Sequence, residues 1–220
     1  MSIKKALLIG ATGLIGKALL IQLLEDPTFS EVSVIARKKT GLQHPKLREY
    51  LIDFTKIEES KALFVGDVLF STLGTTLKTA GSKENQYAID YTMQFLSAKF
   101  AFENQTPQFI LLSSAGANAQ SNLFYPKMKG ELDEAVQKLG FKHVAILRPS
   151  MLVGNRHEFR WAEKIFTPIM YGVTWIPGLR KYRPIKDRVV AKAMINACKL
   201  DKNSNKIYEL DQLFALANEK

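Results

Sequence analysis

Tyr125 and Lys129 stand four residues apart in Tyr125-Pro126-Lys127-Met128-Lys129, and two serines, Ser113-Ser114, lie upstream of them. On a helix that spacing puts both side chains on one face. Pro126 is compatible with the first turn of a helix and not with its interior, so Tyr125 is expected at a helix start. A phenol with an ordinary pKa of about 10 moves protons poorly near neutrality. A nearby ammonium, or the charge of a cofactor, favours the phenolate and lowers that value. A serine hydroxyl in the same crevice can hydrogen-bond a substrate oxygen on which charge develops. Together these residue types form a proton-transfer set. A Tyr/Lys pair alone is common on helix surfaces; the serines and a glycine turn near the N-terminus make it specific.

That turn is Ala6-Leu7-Leu8-Ile9-Gly10-Ala11-Thr12-Gly13-Leu14-Ile15-Gly16. An apolar run ends in three glycines spaced three apart, and an amphipathic segment follows at once. This is the strand, tight turn and helix start that hold a dinucleotide pyrophosphate. Gly10 allows the sharp turn, Gly13 the close approach of backbone to phosphate, and Gly16 the packing of helix on strand. The free N–H groups of the helix start, around Thr12, Leu14 and Ile15, favour the anion.

An NAD-selective site places an acid at the end of the second strand, on the ribose 2′-hydroxyl. Here that strand ends Val34-Ile35-Ala36-Arg37-Lys38-Lys39. A guanidinium pairs with a 2′-phosphate in forked geometry, so NADP(H) is expected over NAD(H). Arg37 is the principal determinant, with Lys38 or Lys39 assisting. Asp53 and Phe54, at the end of the third strand, are expected at the adenine: the carboxylate accepts from its amino group and the following residues cover the ring. Leu73, Gly74 and Thr75, after the fourth strand, are expected along the adenosine ribose.

Alternating elements must position these residues. Strand-like runs fall at 4–9, 32–36, 47–52, 68–71, 109–112, 144–147 and 207–210, with helical segments between them. Parallel strands buried on both faces read as continuous apolar runs. Their alternation with helices predicts an α/β fold, a doubly wound parallel sheet of the Rossmann type. The first helix is expected over 14–24. The longest is expected over 83–103, capped by Ser82, with an apolar stripe of Tyr87, Tyr91, Phe95, Ala98 and Phe102. Another runs over 125–139 and closes at Gly140, and the last covers 187–200. The whole chain, 1–220, reads as one domain in which 151–186, broken by Pro168, Pro177 and Pro184, forms most of a small irregular substrate lobe. Trp161, Phe166, Tyr171 and Trp175 are expected in that lobe's core.

The 220 residues carry 46% apolar and 24% charged residues, ordinary for a soluble globular chain. Cys198 is the sole cysteine, which excludes an internal disulfide, and its helical context makes it a buried thiol. The formal charge of +10 is dispersed among apolar residues, with no RNA-binding signature or basic tail. It reads as a solvated face with a minor steering role, and no nucleic acid is expected. His44, His143 and His157 show no metal-ligand spacing. Ser113-Ser114 lacks the nucleophile-elbow pattern of hydrolases. No apolar run approaches the ~20 residues of a membrane helix, and no signal peptide is evident, so a cytoplasmic monomer or homodimer is expected.

The chain resembles the short-chain dehydrogenase/reductase superfamily in its extended and atypical branches. The resemblance rests on the glycine turn, on Leu111-Leu112-Ser113-Ser114-Ala115-Gly116-Ala117, on 125–129 and on Leu147-Arg148-Pro149-Ser150-Met151-Leu152-Val153-Gly154. Leu73-Gly74-Thr75-Thr76 and Gly130-Glu131 look closest to the NAD(P)H-binding proteins related to the Tat-interacting oxidoreductase. The resemblance implies that Ser114, rather than Ser113, acts with Tyr125 and Lys129. It also implies that Lys129 and Tyr125 touch the cofactor and that Pro149, Ser150 and Met151 lie against the nicotinamide. Asp90 stands where the superfamily often has an Asn. The function implied is NADPH-dependent hydride transfer to a small carbonyl substrate; the alternative is a non-catalytic NADPH-binding regulator that acts through a protein partner.

Overall fold

A computed structural model of the chain describes residues 3–153, 180–200 and 204–219. Its first strand, β1 (Lys4–Ile9), is apolar on both faces: Ala6 and Leu8 enter one buried cluster, Leu7 and Ile9 another. Side chains alternate across a strand, so such a run needs a packed layer on each side. The chain supplies both layers. After β1 come α1 (Leu14–Glu25), β2 (Phe29–Ala36), β3 (Leu47–Leu51), a 3-10 segment (Phe54–Leu63) and β4 (Val68–Ser71). Next are α2 (Leu77–Ala80), α3 (Lys83–Tyr87), a π-helical turn (Ala88–Thr92), α4 (Met93–Glu103) and β5 (Gln108–Leu112). Then follow α5 (Phe124–Gln137), β6 (His143–Arg148), β7 (Leu152–Val153), β8 (Ile185–Lys186), α6 (Asp187–Lys199), β9 (Asn205–Glu209) and α7 (Gln212–Asn218).

The doubly wound sheet expected from the alternation is the fold observed. Seven described strands pair in parallel in the order β3-β2-β1-β4-β5-β6-β9. α1, α6 and α7 cover one face, with Leu19, Leu23, Met194 and Leu213 buried there. The 3-10 segment, α4 and α5 cover the other, with Phe54, Ala98 and Leu132. Strand order reverses between β1 and β4, which opens a crevice beyond their carboxyl ends. Register sets what faces it. Ile9 lies between Ile35 and Ser71, so Gly10, Arg37 and Thr72 leave the sheet close together. Leu112 pairs with Leu147, so Ser113 and Arg148 leave it side by side.

The long helix departs from expectation. Ser82 caps it as read, its hydroxyl accepting from Asn85 N–H at 3.1 Å. It is not uniform, however: the π turn inserts itself between α3 and α4. A π turn adds one residue to the helical repeat and so shifts the phase of the faces. Tyr87, Tyr91 and Phe95 stack on one another along a half-buried side. The side turned inward carries Asp90, Gln94, Ser97, Ala98 and Ala101, and Phe102 is exposed. The expected apolar stripe therefore enters the core fully at Ala98, while Tyr91 and Phe95 pack against its edge and Phe102 meets Phe141 from outside. Cys198 is buried, as its context suggested. Most of the proposed substrate lobe, including Trp161, Phe166, Tyr171 and Trp175, lies outside the described residues, as does His157. At its margins β7 pairs with β8, and Ile185 N–H donates to Met151 O at 2.9 Å.

Candidate functional site

The glycine turn folds back on itself so tightly that side chains are excluded. Gly10 has φ +83°, a left-handed conformation, and a Cβ there would lie 2.5 Å from the Thr72 carbonyl carbon. A Cβ on Gly16 would lie 2.0 Å from Gly10 O. Thr72 locks the contact from below, its hydroxyl donating to Ile9 O at 2.9 Å. Gly13 stands at the N-cap of α1, with no side chain over the helix end. The first N–H groups of α1, beginning at Leu14 and Ile15, therefore lack side-chain caps and can serve an anion. The Ile15 side chain itself belongs to the core.

Beside this turn is a cavity of about 270 Å³ lined by Gly10, Ala11, Thr12, Ile35, Ala36, Arg37, Lys38, Lys39, Phe54, Leu73, Ile89 and Met93. It joins the phosphate turn to the basic strand end, and its walls are apolar where a planar base would lie. A cradle that any Cβ would fill, next to a cavity with three cations at its rim, fits the adenosine half of a dinucleotide. Of the expected residues, Gly10, Thr12, Arg37, Lys38, Phe54 and Leu73 line it; Gly13, Leu14, Ile15, Gly16, Asp53, Gly74 and Thr75 do not. Asp53 is exposed and caps the 3-10 segment, its Oδ1 accepting from Thr55 N–H at 2.9 Å and Thr55 Oγ at 2.7 Å. Ile89 and Met93 are new to the site. They stand four residues apart, across the junction of the π turn with α4.

At the other end of the crevice, α5 begins at Phe124, so Tyr125 and Pro126 fall in its first turn. Tyr125 is 40% exposed, while Lys129, one turn on, is 2% exposed. The segment carrying Ser114 is stitched to both neighbours. Ala115 N–H donates to Pro149 O at 3.1 Å, and Asn118 N–H donates to Pro126 O at 2.9 Å. Gly130 makes this approach possible: a Cβ there would sit 2.1 Å from Ala119 N. The fold thus gathers Ser114, Tyr125 and Pro149 at one place. Ser150 is turned elsewhere, its hydroxyl donating to Arg183 O at 2.5 Å. Met151 stands half-buried at the entry to β7.

Ionisable groups lie buried behind Tyr125. Burial lowers the Lys129 pKa, and the carboxylates of Asp90 and Asp133 oppose it. Asp90 is 1% exposed and accepts from Thr75 N–H at 2.8 Å, which ties the loop after β4 to the π turn. Burial raises its pKa, against the pull of Lys129 and the Thr75 N–H. Gln94 braces the same turn, donating to Asp90 O at 2.7 Å and accepting from Ser71 Oγ at 2.6 Å. Asp133 accepts from Ser113 Oγ at 3.0 Å and from Arg148 Nε at 2.9 Å, and Arg148 reaches on to Glu209 at 2.7 Å. This assembly holds a buried lysine one helical turn from a partly exposed phenol, beside the turn that carries Ser114. Asp133 was absent from the motif reading, and Arg148 stood there only within a matching stretch, with no role; the signal for Asp133 is its place one turn beyond Lys129 on the same face.

The NAD(P)H-binding family matches residues 10–162. The mitochondrial protein fmp52 of Aspergillus fumigatus is 34% identical over 205 residues, covering 86% of this chain and 85% of that one. HTATIP2 of Rattus norvegicus is 34% identical over 167 residues, covering 74% and 69%. The resemblance read from the motifs is met in these relatives. Among solved structures, the Bordetella bronchiseptica enzyme WbmH in complex with NAD+ superposes with a TM-score of 0.70 at 16% identity, covering 94% of this chain and 76% of that one. At that identity the likeness is one of fold. The expected cytoplasmic location is corrected, because the fmp52 relative is named as mitochondrial. No helix among the described residues is long and apolar enough to cross a membrane, but that does not specify a compartment.

Proposed function

Because the chain belongs to the NAD(P)H-binding family and is a relative of the fmp52 and HTATIP2 proteins, we propose that it is an NADPH-dependent oxidoreductase acting on a small carbonyl compound. One observation carries this reading. The fold leads a dinucleotide cradle directly into a crevice where Tyr125 stands one helical turn from the buried Lys129, beside the turn that carries Ser114. When bound, the cofactor supplies a hydride to the carbonyl carbon.

The residues take the following parts. The N–H groups of α1 and the turn at Gly10, Gly13 and Gly16 hold the pyrophosphate. Arg37, with Lys38 and Lys39, faces the 2′-phosphate, which is why NADPH is preferred to NADH. Phe54 and Leu73 flank the adenine. Ser114 hydrogen-bonds the substrate oxygen as charge builds on it. Tyr125 donates its proton to that oxygen. Lys129, as an ammonium, favours the resulting phenolate and binds the nicotinamide ribose hydroxyls. Pro149, Ser150 and Met151 back the nicotinamide through their main chain.

The test is isotope transfer. The protein is incubated with NADPH bearing deuterium at the nicotinamide C4 and a panel of aldehydes and ketones. Deuterium on the alcohol carbon of a product is the expected result. NADPH that binds tightly yet passes no label to any carbonyl would contradict the reading and leave a binding protein.

A further inference from the structure

Tyr125, Lys129 and Asp133 follow one another at four-residue intervals on α5 and share one of its faces. Asp133 is 1% exposed. One of its oxygens, Oδ2, serves both Ser113 Oγ and Arg148 Nε. The other, Oδ1, is buried with no hydrogen-bond partner among the described residues. A buried carboxylate oxygen left in this state is costly and calls for a reason. The nearby need is plain. Lys129 is buried one turn away, and an isolated buried ammonium sheds its proton.

We propose that Asp133 is a positioning residue for the reaction, anchoring the serine-bearing turn through Ser113 and supplying counter-charge to the Lys129 ammonium through its unbonded oxygen. The inference rests on the role given to Lys129 in the proposed function. Two carboxylates act on Lys129: Asp90 from the π turn and Asp133 on its own helix. Arg148 of β6 competes for Asp133 and is itself shared with Glu209. Tyr125 lies one turn before Lys129, and Glu131 is turned to the Tyr87 hydroxyl, which it meets at 3.3 Å. Asp90 accepts Thr75 N–H through Oδ2, and Asp133 accepts Ser113 Oγ and Arg148 Nε through its own Oδ2; neither carboxylate forms an ion pair with Lys129 among the described residues, and burial raises the pKa of Asp133 against the pull of Arg148 and Lys129.

The experiment follows NADPH affinity against pH by fluorescence titration, with kcat measured beside it. An ammonium that binds ribose gives up affinity at the pH where it loses its proton. Asp133→Asn keeps the shape and removes the charge. That alkaline midpoint is expected to fall by about one unit, with kcat at neutral pH lowered about tenfold. Asp133→Glu restores the charge and is expected to return the midpoint toward the parent's. A lowered Tm with midpoint and kcat unchanged would show a merely structural role and overturn the proposal. Where Asp133→Asn does not fold, Arg148→Gln removes the competing cation and is expected to raise the midpoint; no shift, or a fall, would overturn it. A parent that binds NADPH but reduces no carbonyl sinks the proposed function alone, because a shifted midpoint still upholds Asp133. A parent that turns over with an unmoved midpoint in Asp133→Asn sinks Asp133 alone.

Discussion

At the adenosine end of the crevice, contacts are made by backbone: Gly10 and Gly16 lie against carbonyl groups with no room for a Cβ, and cations stand only at the exposed rim. At the end proposed for catalysis, the arrangement depends on buried charge, with Asp90 and Asp133 both acting on Lys129 and Arg148 paired to Asp133. The two ends should fail differently. A backbone cradle is intolerant of added atoms and indifferent to pH. A buried charge cluster tolerates isosteric change in shape but responds to protonation and to the loss of one partner.

The largest effect expected from breaking this contrast is at Gly16. Gly16→Ala places a methyl group 2.0 Å from Gly10 O, so the turn must open. NADPH affinity is expected to fall by about a hundredfold or more, some 2.7 kcal/mol, and equally across pH. Calorimetry showing parental affinity would break the cradle account. Smaller is Arg37→Ala at the rim. The ratio of NADPH to NADH affinity should fall about 10–100-fold, the range for a charge-assisted hydrogen bond. Equal affinities for the two cofactors in the parent would remove Arg37 as the discriminator.

Smallest is an ion pair away from both ends, Lys199 Nζ to Asp26 Oδ2 at 2.6 Å, joining α6 to the end of α1. Burial raises the Asp26 pKa, but the Lys199 and Thr28 hydrogen bonds outweigh it and hold the carboxyl below its ordinary 3.8. Its stabilising contribution is therefore complete above the unfolded-state value and is lost as pH falls through the folded one. Asp26→Asn is expected to cost about 1 kcal/mol in chemical denaturation at pH 7. The gap should close in strong acid. A gap that persists there would mean the loss is one of packing.

The same contrast explains what the chain's letters reveal. The glycine turn, the strand runs and the Tyr125–Lys129 spacing are local patterns, legible because backbone conformation and helical period act over a few residues. Arg37 was legible as a rim cation because it directly follows a strand. The π turn was not legible: Tyr87, Tyr91 and Phe95 keep a helical period, and the inserted residue shows only when the buried side proves to be Asp90 and Gln94. Nor was the Asp133–Arg148 pair, since its partners come from α5 and β6 and meet only through the register of β5 with β6. Asp53 shows a limit of placing residues by strand order: it lies at the expected strand end but spends one oxygen on capping. Gly130 appeared as a sequence resemblance, and the passage of 118–119 over α5 supplies its physical reason.

The proposed function puts the pyrophosphate and adenosine at one end of the crevice and proton transfer at the other, with Tyr125 as the proton donor. Its most direct test is to measure NADPH affinity and carbonyl reduction side by side in Tyr125→Phe. Turnover is expected to fall about 10²–10⁴-fold, the usual worth of a general acid, with NADPH affinity within about threefold of the parent's. Turnover equal to the parent's, or loss of affinity in step with turnover, would contradict it.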